Sequence, residues 1–273
     1  MRTRRDLLKA LCGAICIQCA ALLILLQPNQ SLAGSQTIRV GSLGGPNAKI
    51  MQAAKAAAAR DGVNIEIVEF NDPRQVAQAL DAKSIDAAEL PNTLFLEQYV
   101  GENGQTLAVA TYTVTFPMGI YSKTLGSLKE LKQGDSIAVP DDPINGPRAL
   151  ILLHNCGLLG LTDGAGLHAA TSDITDNPKE LKIIELPSDK LAGVLPSVAA
   201  AAMPFPDAAY AGFEPARDAI MTEDGHSPYA GILVTRNEDA NAPWVASLIA
   251  AVHSSDVKTF LLTQYNGSVR RPW

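Results

Sequence analysis

The sequence predicts an α/β protein of two lobes, each a mainly parallel sheet flanked by helices. Strand-like and helix-like segments alternate at the pitch of βαβ units from Thr37 onward, and the alternation restarts near the middle of the chain. Neither an internal repeat nor a low-complexity linker separates the halves. At 273 residues the chain is long enough for about two domains. The last segment is expected to return to the first lobe, so residues 34–114 and 229–273 form one lobe and 115–228 the other.

The elements follow in order. Thr37-Ile38-Arg39-Val40-Gly41 alternates as a strand does and breaks at Gly44-Gly45-Pro46. Ile50, Ala53, Ala54, Ala57 and Ala58 then recur at helical spacing up to Arg60, and Asp61-Gly62 stops the helix. Val63 to Phe70 is a second strand, and Asn71-Asp72-Pro73 opens a helix striped by Val76 and Leu80. Ile85 to Ala88 is a third strand, followed by a short helix from Pro91. Met118 to Tyr121, Ser136 to Val139, Leu181 to Leu186 and the apolar Val198 to Met203 supply the second set of strands, with a helix over Pro147 to Leu153. Turn residues at Asp224-Gly225-His226-Ser227-Pro228 precede Ile232 to Thr235, a strand expected to close one sheet. Helices Pro243 to His253 and Asp256 to Tyr265 finish the chain.

The first thirty-three residues have another design. A basic head, Met1-Arg2-Thr3-Arg4-Arg5-Asp6, leads into the apolar run Ala10 to Leu26 and the small-residue site Ser31-Leu32-Ala33, the three parts of a secretory signal at 1–33. Thr3-Arg4-Arg5-Asp6-Leu7-Leu8-Lys9 has the form of a twin-arginine signal; an ordinary secretory head and an uncleaved anchor are the alternatives. Cys12, Cys16 and Cys19 all lie in the apolar run without a lipobox, which leaves Cys156, set among leucines, as a small core residue.

Charge excludes one large class. The chain carries a formal −6, and removing four of its 22 basic and one of its 28 acidic residues with the leader leaves a net −9. A nucleic-acid binder needs a basic surface, so none is expected. Beyond residue 33, no Gly-x-Ser-x-Gly elbow, His-Glu-x-x-His pair, phosphate loop or Cys pair marks an enzyme or a cofactor. His154, His168, His226 and His253 are dispersed, without ligand spacing for a metal. Gly160, Gly164 and Gly166 lack the strand-then-helix setting of a dinucleotide site. Tyr121, Tyr210 and Tyr229 are expected in lobe cores or a cleft wall.

Asp141-Asp142-Pro143-Ile144-Asn145-Gly146-Pro147-Arg148 is the most informative stretch. A strand ends at Pro140 and a helix begins with Asn145 or Gly146 as N-cap and Pro147 at its first position. Free N–H groups and the planar fork of Arg148 suit a small carboxylate. A surface ion pair is the alternative for Arg148.

Here the sequence resembles the methionine-binding lipoproteins of the MetQ/NlpA type, periplasmic solute receptors of ABC importers. The likeness runs through Ile38-Arg39-Val40-Gly41, Pro117-Met118-Gly119-Ile120-Tyr121-Ser122-Lys123, Asn145-Gly146 with Arg148-Ala149-Leu150, and Asn177-Pro178. It continues in Ser227-Pro228-Tyr229-Ala230, Ser255-Asp256-Val257-Lys258 and Pro272-Trp273. It implies a type II-like periplasmic-binding-protein fold that closes on its solute, hinged near Thr111 to Pro117 and Pro228 to Val234. It also implies a periplasmic location, an ABC permease partner at the inner membrane, an amino acid or small carboxylate as solute, and no catalysis.

Where the family lines its pocket with an aromatic pair and a histidine, this chain reads Glu89, Leu90 and Asn92. Its Asn-Gly-Asn-Tyr run is replaced by Pro204-Phe205-Pro206-Asp207, and a further asparagine by Gly231. Losing aromatic faces removes the contacts that suit a thioether, so methionine is disfavoured. The candidate ligand-binding residues are Arg148, Asn145, Glu89, Asn92, Phe205 and Asp207. Arg148 anchors a carboxylate, and Glu89 or Asp207 faces a ligand cation, with helix capping as the alternative for each carboxylate. Two rival classes stay open: a degenerate binding fold that serves a protein partner or sensor, and an enzyme whose site is assembled from distant residues.

Overall fold

A computed structural model describes residues 37–273 except Gln105. The signal, the twin-arginine motif and Cys12, Cys16 and Cys19 lie outside the described residues. Strand β1 (Thr37–Leu43), helix α1 (Pro46–Arg60), β2 (Asn64–Phe70), α2 (Pro73–Asp81), β3 (Ala87–Leu90), α3 (Thr93–Asn103) and β4 (Leu107–Tyr112) come first. After a crossing, β5 (Gly119–Tyr121), β6 (Ser136–Pro140) and α4 (Asn145–Asn155) follow. A small hairpin, β7 (Gly160–Leu161) with β8 (Ile174–Asp176), leads to β9 (Lys182–Leu186) and the one-turn helix α5 (Leu191–Val194). Then come β10 (Ala200–Met203), α6 (Phe205–Tyr210), α7 (Pro215–Asp218) and β11 (Met221–Thr222). The chain ends with β12 (Ile232–Arg236), α8 (Pro243–Val252) and α9 (Ser255–Tyr265).

Two five-stranded sheets result, ordered β2-β1-β3-β12-β4 and β11-β5-β10-β6-β9. The expected α/β class holds, but the sheets are mixed instead of mainly parallel. β1 runs parallel to β2 and β3, whereas β12 runs antiparallel to both β3 and β4. In the second sheet β6 is parallel to β9 and β10, and β5 is antiparallel to β10 and β11. β12 does not close an edge. Its apolar run Ile232-Leu233-Val234 is fully buried, as suits an interior strand covered on both faces. An edge belongs to β4, which leaves Val109 and Tyr112 exposed.

Each sheet has cores of its own. Small side chains let α1 lie close to its neighbours: Ile50, Met51, Ala54 and Ala58 are buried against β1 and the C-terminal helices α8 and α9. Burying one such isoleucine contributes about 1.5–3 kcal/mol. On the other face, Val76 and Leu80 of α2 pack with Ile85, Leu90 and Ile232. In the second sheet, β10 is alanine-rich and wholly buried, and alternate residues serve two clusters, around Leu150 and Leu153 on one face and around Tyr121 and Leu191 on the other. Cys156 packs partly buried at the first of these, and burial pushes its thiol up. Tyr121 is in the core, but Tyr210 is 98 % exposed, because α6 ends there and turns it away from both sheets.

Two segments connect the sheets, Thr113–Met118 and Glu223–Gly231, and they run side by side. Thr113 N–H donates to Gly231 O and Gly231 N–H to Val114 O, each at 2.8 Å. The C-terminal tail joins them. Thr115 and Arg270 exchange both backbone hydrogen bonds, and Trp273 Nε1–H donates to Thr113 O at 2.6 Å while its ring stacks on His253. The second crossing thus starts earlier than the expected Pro228, and Ile232 to Val234 already belong to the sheet.

Candidate functional site

A cleft of about 370 Å³ lies between the two sheets. Leu43, Asn47, Pro73, Asn92 and Phe95 form the wall on the first sheet's side. Ile144, Asn145, Arg148, Pro204 and Asp207 form the wall on the second's. Phe116, Tyr229 and Gly231 of the crossings make its floor. A second cavity of about 350 Å³, edged by Ile151, Asn155, Cys156 and His226, draws no residue from the first sheet and does not separate the two cores.

Helix starts place most of the polar groups. Asn92 caps α3, its Oδ1 accepting from Phe95 N–H at 2.9 Å, so the cap there is Asn92 and not Glu89. At α4 the cap position is Ile144, and neither Asn145 nor Gly146. The Asp142 carboxylate reaches forward to accept from the backbone N–H groups of Ile144 and Asn145 and from Asn145 Nδ2. Gly146 is needed where α4 meets β6, since a Cβ there would stand 2.9 Å from Pro140 O.

Arg148 is more committed than the sequence suggests. It is 8 % exposed. Its Nε–H donates to Glu223 at 3.0 Å, and Nη2 donates both to Glu223 and to Phe116 O at 2.9 Å. The Tyr229 ring lies 4.7 Å from the guanidinium carbon. Glu223 in turn accepts from Met118 N–H and Ser227 Oγ–H. One guanidinium therefore holds both crossings to α4, and only its Nη1 has no hydrogen-bond partner among the described residues. The expected fork for a carboxylate is reduced to a single nitrogen, and its charge is already matched by Glu223.

Glu89 does not line the cleft. Strand β3 runs on past Ala88, pairs Glu89 with Leu233 of β12 and leaves the side chain 2 % exposed, behind the wall. Ser42 Oγ lies 2.5 Å and Asn47 Nδ2 3.1 Å from its carboxyl oxygens. Burial pushes this carboxyl up from the ordinary glutamate range, outweighing those hydrogen bonds. Phe205 is likewise outside the cleft lining, buried against Phe116 and Tyr265 because α6 turns it toward the first sheet's core. Asp207, in the first turn of α6, does line the cleft. Burial, with Asp142 and Asp189 nearby, raises its carboxyl, and no cation pairs with it among the described residues.

The state of Glu89 has a consequence for stability. The folded chain holds this proton to a higher pH than the unfolded chain does, so it binds more protons once pH passes the ordinary value of 4.5. This contribution makes stability fall as pH rises from there toward the raised value, and it is absent below the ordinary range. Glu89→Gln is therefore expected to gain stability relative to the parent in urea unfolding as pH rises above the ordinary glutamate range. A difference that does not change with pH above that range would show Glu89 ionised in the folded protein.

Sequence inspection missed Asn47, Phe95, Phe116 and Glu223. Glu223 stands 75 residues from Arg148 in the chain, and nothing in its turn-rich surroundings marks it as a partner. Phe116 and Phe95 give the cleft aromatic surface, and neither Glu89 nor Leu90 lines it. No cluster of three or more metal-ligating side chains occurs among the described residues.

A cleft between two mixed sheets joined by two adjacent crossings defines a solute-binding protein. The profile of the NlpA lipoprotein family matches residues 38–273. The D-methionine-binding lipoprotein MetQ of Salmonella typhimurium is 36 % identical over 239 residues, 86 % of this chain and 88 % of that one. Outer membrane lipoprotein 2 of Mannheimia haemolytica is 33 % identical, with 86 % of each chain covered. Among solved structures, a nutrient-binding protein from Burkholderia cenocepacia bound to methionine aligns with a TM-score of 0.72 at 39 % identity, covering 86 % of this chain and all of that one. A periplasmic substrate-binding protein of an ABC transporter from Coxiella burnetii also aligns at 0.72, with 36 % identity over 85 % of this chain and 99 % of that one. The chain belongs to the NlpA lipoprotein family, the periplasmic or membrane-anchored substrate-binding proteins of ABC transporters, which are not enzymes.

Proposed function

We propose that this protein captures a small zwitterion, an amino acid other than methionine, and presents it to an ABC permease. The charge balance of the cleft carries the proposal. Arg148 is matched by Glu223, whereas Asp207 is matched by no cation, so a solute that is only an anion meets a net negative wall. A zwitterion can place its carboxylate at Arg148 Nη1 and still offer an ammonium. The four prolines on the walls, Pro73, Pro91, Pro204 and Pro206, lack backbone donors and differ from a wall of asparagines and aromatic rings. On this basis the lobes, bounded near residues 114 and 228, close by bending at the two crossings, and the closed form is what the permease binds.

Thermal shift of the purified chain against amino acids and their des-amino carboxylates tests this. Amino acids are expected to raise Tm and des-amino carboxylates to raise it less, with methionine not the strongest. A larger response to the simple carboxylates would overturn the zwitterion, and a largest response to methionine would overturn the changed specificity. Silence from every compound would favour a protein partner.

A further inference from the structure

We propose that Asn47, held by the buried Glu89, is a specificity-determining residue whose side-chain carbonyl oxygen accepts a hydrogen bond from the ammonium of the solute. The proposal rests on the zwitterion assignment above. Asn47 is the second residue of α1 and lines the cleft. Its amide nitrogen donates to Glu89 Oε1 at 3.1 Å, which turns the amide about its own axis and fixes which end is left over. The oxygen Oδ1 has no partner among the described residues, and it is not one of the sealed polar atoms, so it is open to the cavity.

The hydrogen bonds around Glu89, beside which the Thr113 hydroxyl also lies, close with a neutral acid. Ser42 Oγ lies 3.1 Å from Leu43 O, an acceptor that can take the single hydroxyl proton of Ser42. The 2.5 Å contact between Ser42 Oγ and Glu89 Oε2 then takes its proton from Glu89, which in this arrangement donates as a neutral acid. Glu89 Oε1 is left as a pure acceptor, and it takes the Asn47 N–H. A neutral Glu89 does not attract the solute's ammonium as a charge would. It acts through Asn47, which offers an acceptor at the wall, and it accounts for a fully buried carboxyl without any cation beside it. Glu89 is thus a positioning residue.

The test uses the full chain and two probes, alanine and propionate, which differ by the ammonium. In the parent, alanine is expected to bind more tightly than propionate, and Asn47→Leu is expected to lower that ratio by about tenfold by weakening alanine alone. Glu89→Leu, which frees the Asn47 amide, should lower the ratio equally. Glu89→Gln, which keeps one donor and one acceptor in the same places, should restore it. An infrared difference between parent and Glu89→Gln at neutral pH should show the protonated carboxylic acid without any solute. If the parent binds neither probe, nor any other amino acid with its des-amino partner, the zwitterion assignment fails, and this proposal with it. If the parent prefers alanine and Asn47→Leu keeps the preference, the zwitterion stands and the role of Asn47 is overturned. Equal losses in Glu89→Gln and Glu89→Leu would overturn the role of Glu89.

Discussion

Glu223→Ala is expected to lower the unfolding free energy by about 3–5 kcal/mol, because it leaves Arg148 charged and buried with only Phe116 O and the Tyr229 face beside it. The loss should appear as a lower urea midpoint with little change in slope. The consequences extend beyond the pair. Glu223 also receives Met118 N–H and Ser227 Oγ–H, so its removal opens hydrogen bonds in both crossings. Arg148→Met combined with Glu223→Met removes both charges and is expected to be far milder than Glu223→Ala alone. The double variant keeps a folded protein in which solute binding is lost, which separates the structural role of Arg148 from its contact with a solute. A fall of less than about 1 kcal/mol in Glu223→Ala would mean that water replaces the carboxylate and that the crossings are not held by this pair.

Placing an asparagine at the floor of the cleft, Gly231→Asn, is expected to destabilise by about 1–3 kcal/mol. A Cβ at Gly231 would lie 2.6 Å from Thr113 Oγ1 and 3.1 Å from Val114 O. Neither neighbour can yield easily. Thr113 is fully buried, and Val114 O accepts Gly231 N–H in the pairing that holds the crossings together. Thr113→Ala removes the closer of the two contacts and should recover part of the loss when combined with Gly231→Asn, a coupling that a double-mutant cycle measures. Additive effects of the two substitutions would show that Thr113 is not what excludes a side chain. Gly231 and Thr113 thus work as a pair, the Thr113 hydroxyl filling the space that a side chain at 231 would need.

How much of this could be read from the chain differs between elements. Helix α2 was fully legible: Asp72 caps, Pro73 starts, and Val76 and Leu80 mark the buried face, because each of these acts within a few residues. Strand β3 was not. The sequence ends this strand at Ala88, yet Ser42 and Asn47, more than forty residues away, satisfy the Glu89 carboxyl and let the strand continue to Leu90. The cap of α4 was misplaced for a smaller reason, since Asp142 works from three residues upstream and frees Asn145 to begin the helix.

The residues by themselves determined the α/β class, the starts of α2 and α8 and the presence of Arg148, all of which depend on periodicity and on short-range hydrogen bonding. They also carried the family's identity in short runs such as Ser227-Pro228-Tyr229-Ala230. Only the tertiary structure decided that β12 lies inside the first sheet and that Arg148 is matched by Glu223. It also decided that Asp207 faces the cleft while Glu89 and Phe205 do not. The physical reason is common to these. Whether a charge is free for a ligand depends on what stands within a few ångströms of it, and in this fold the partners are supplied by crossings and strands from distant parts of the chain.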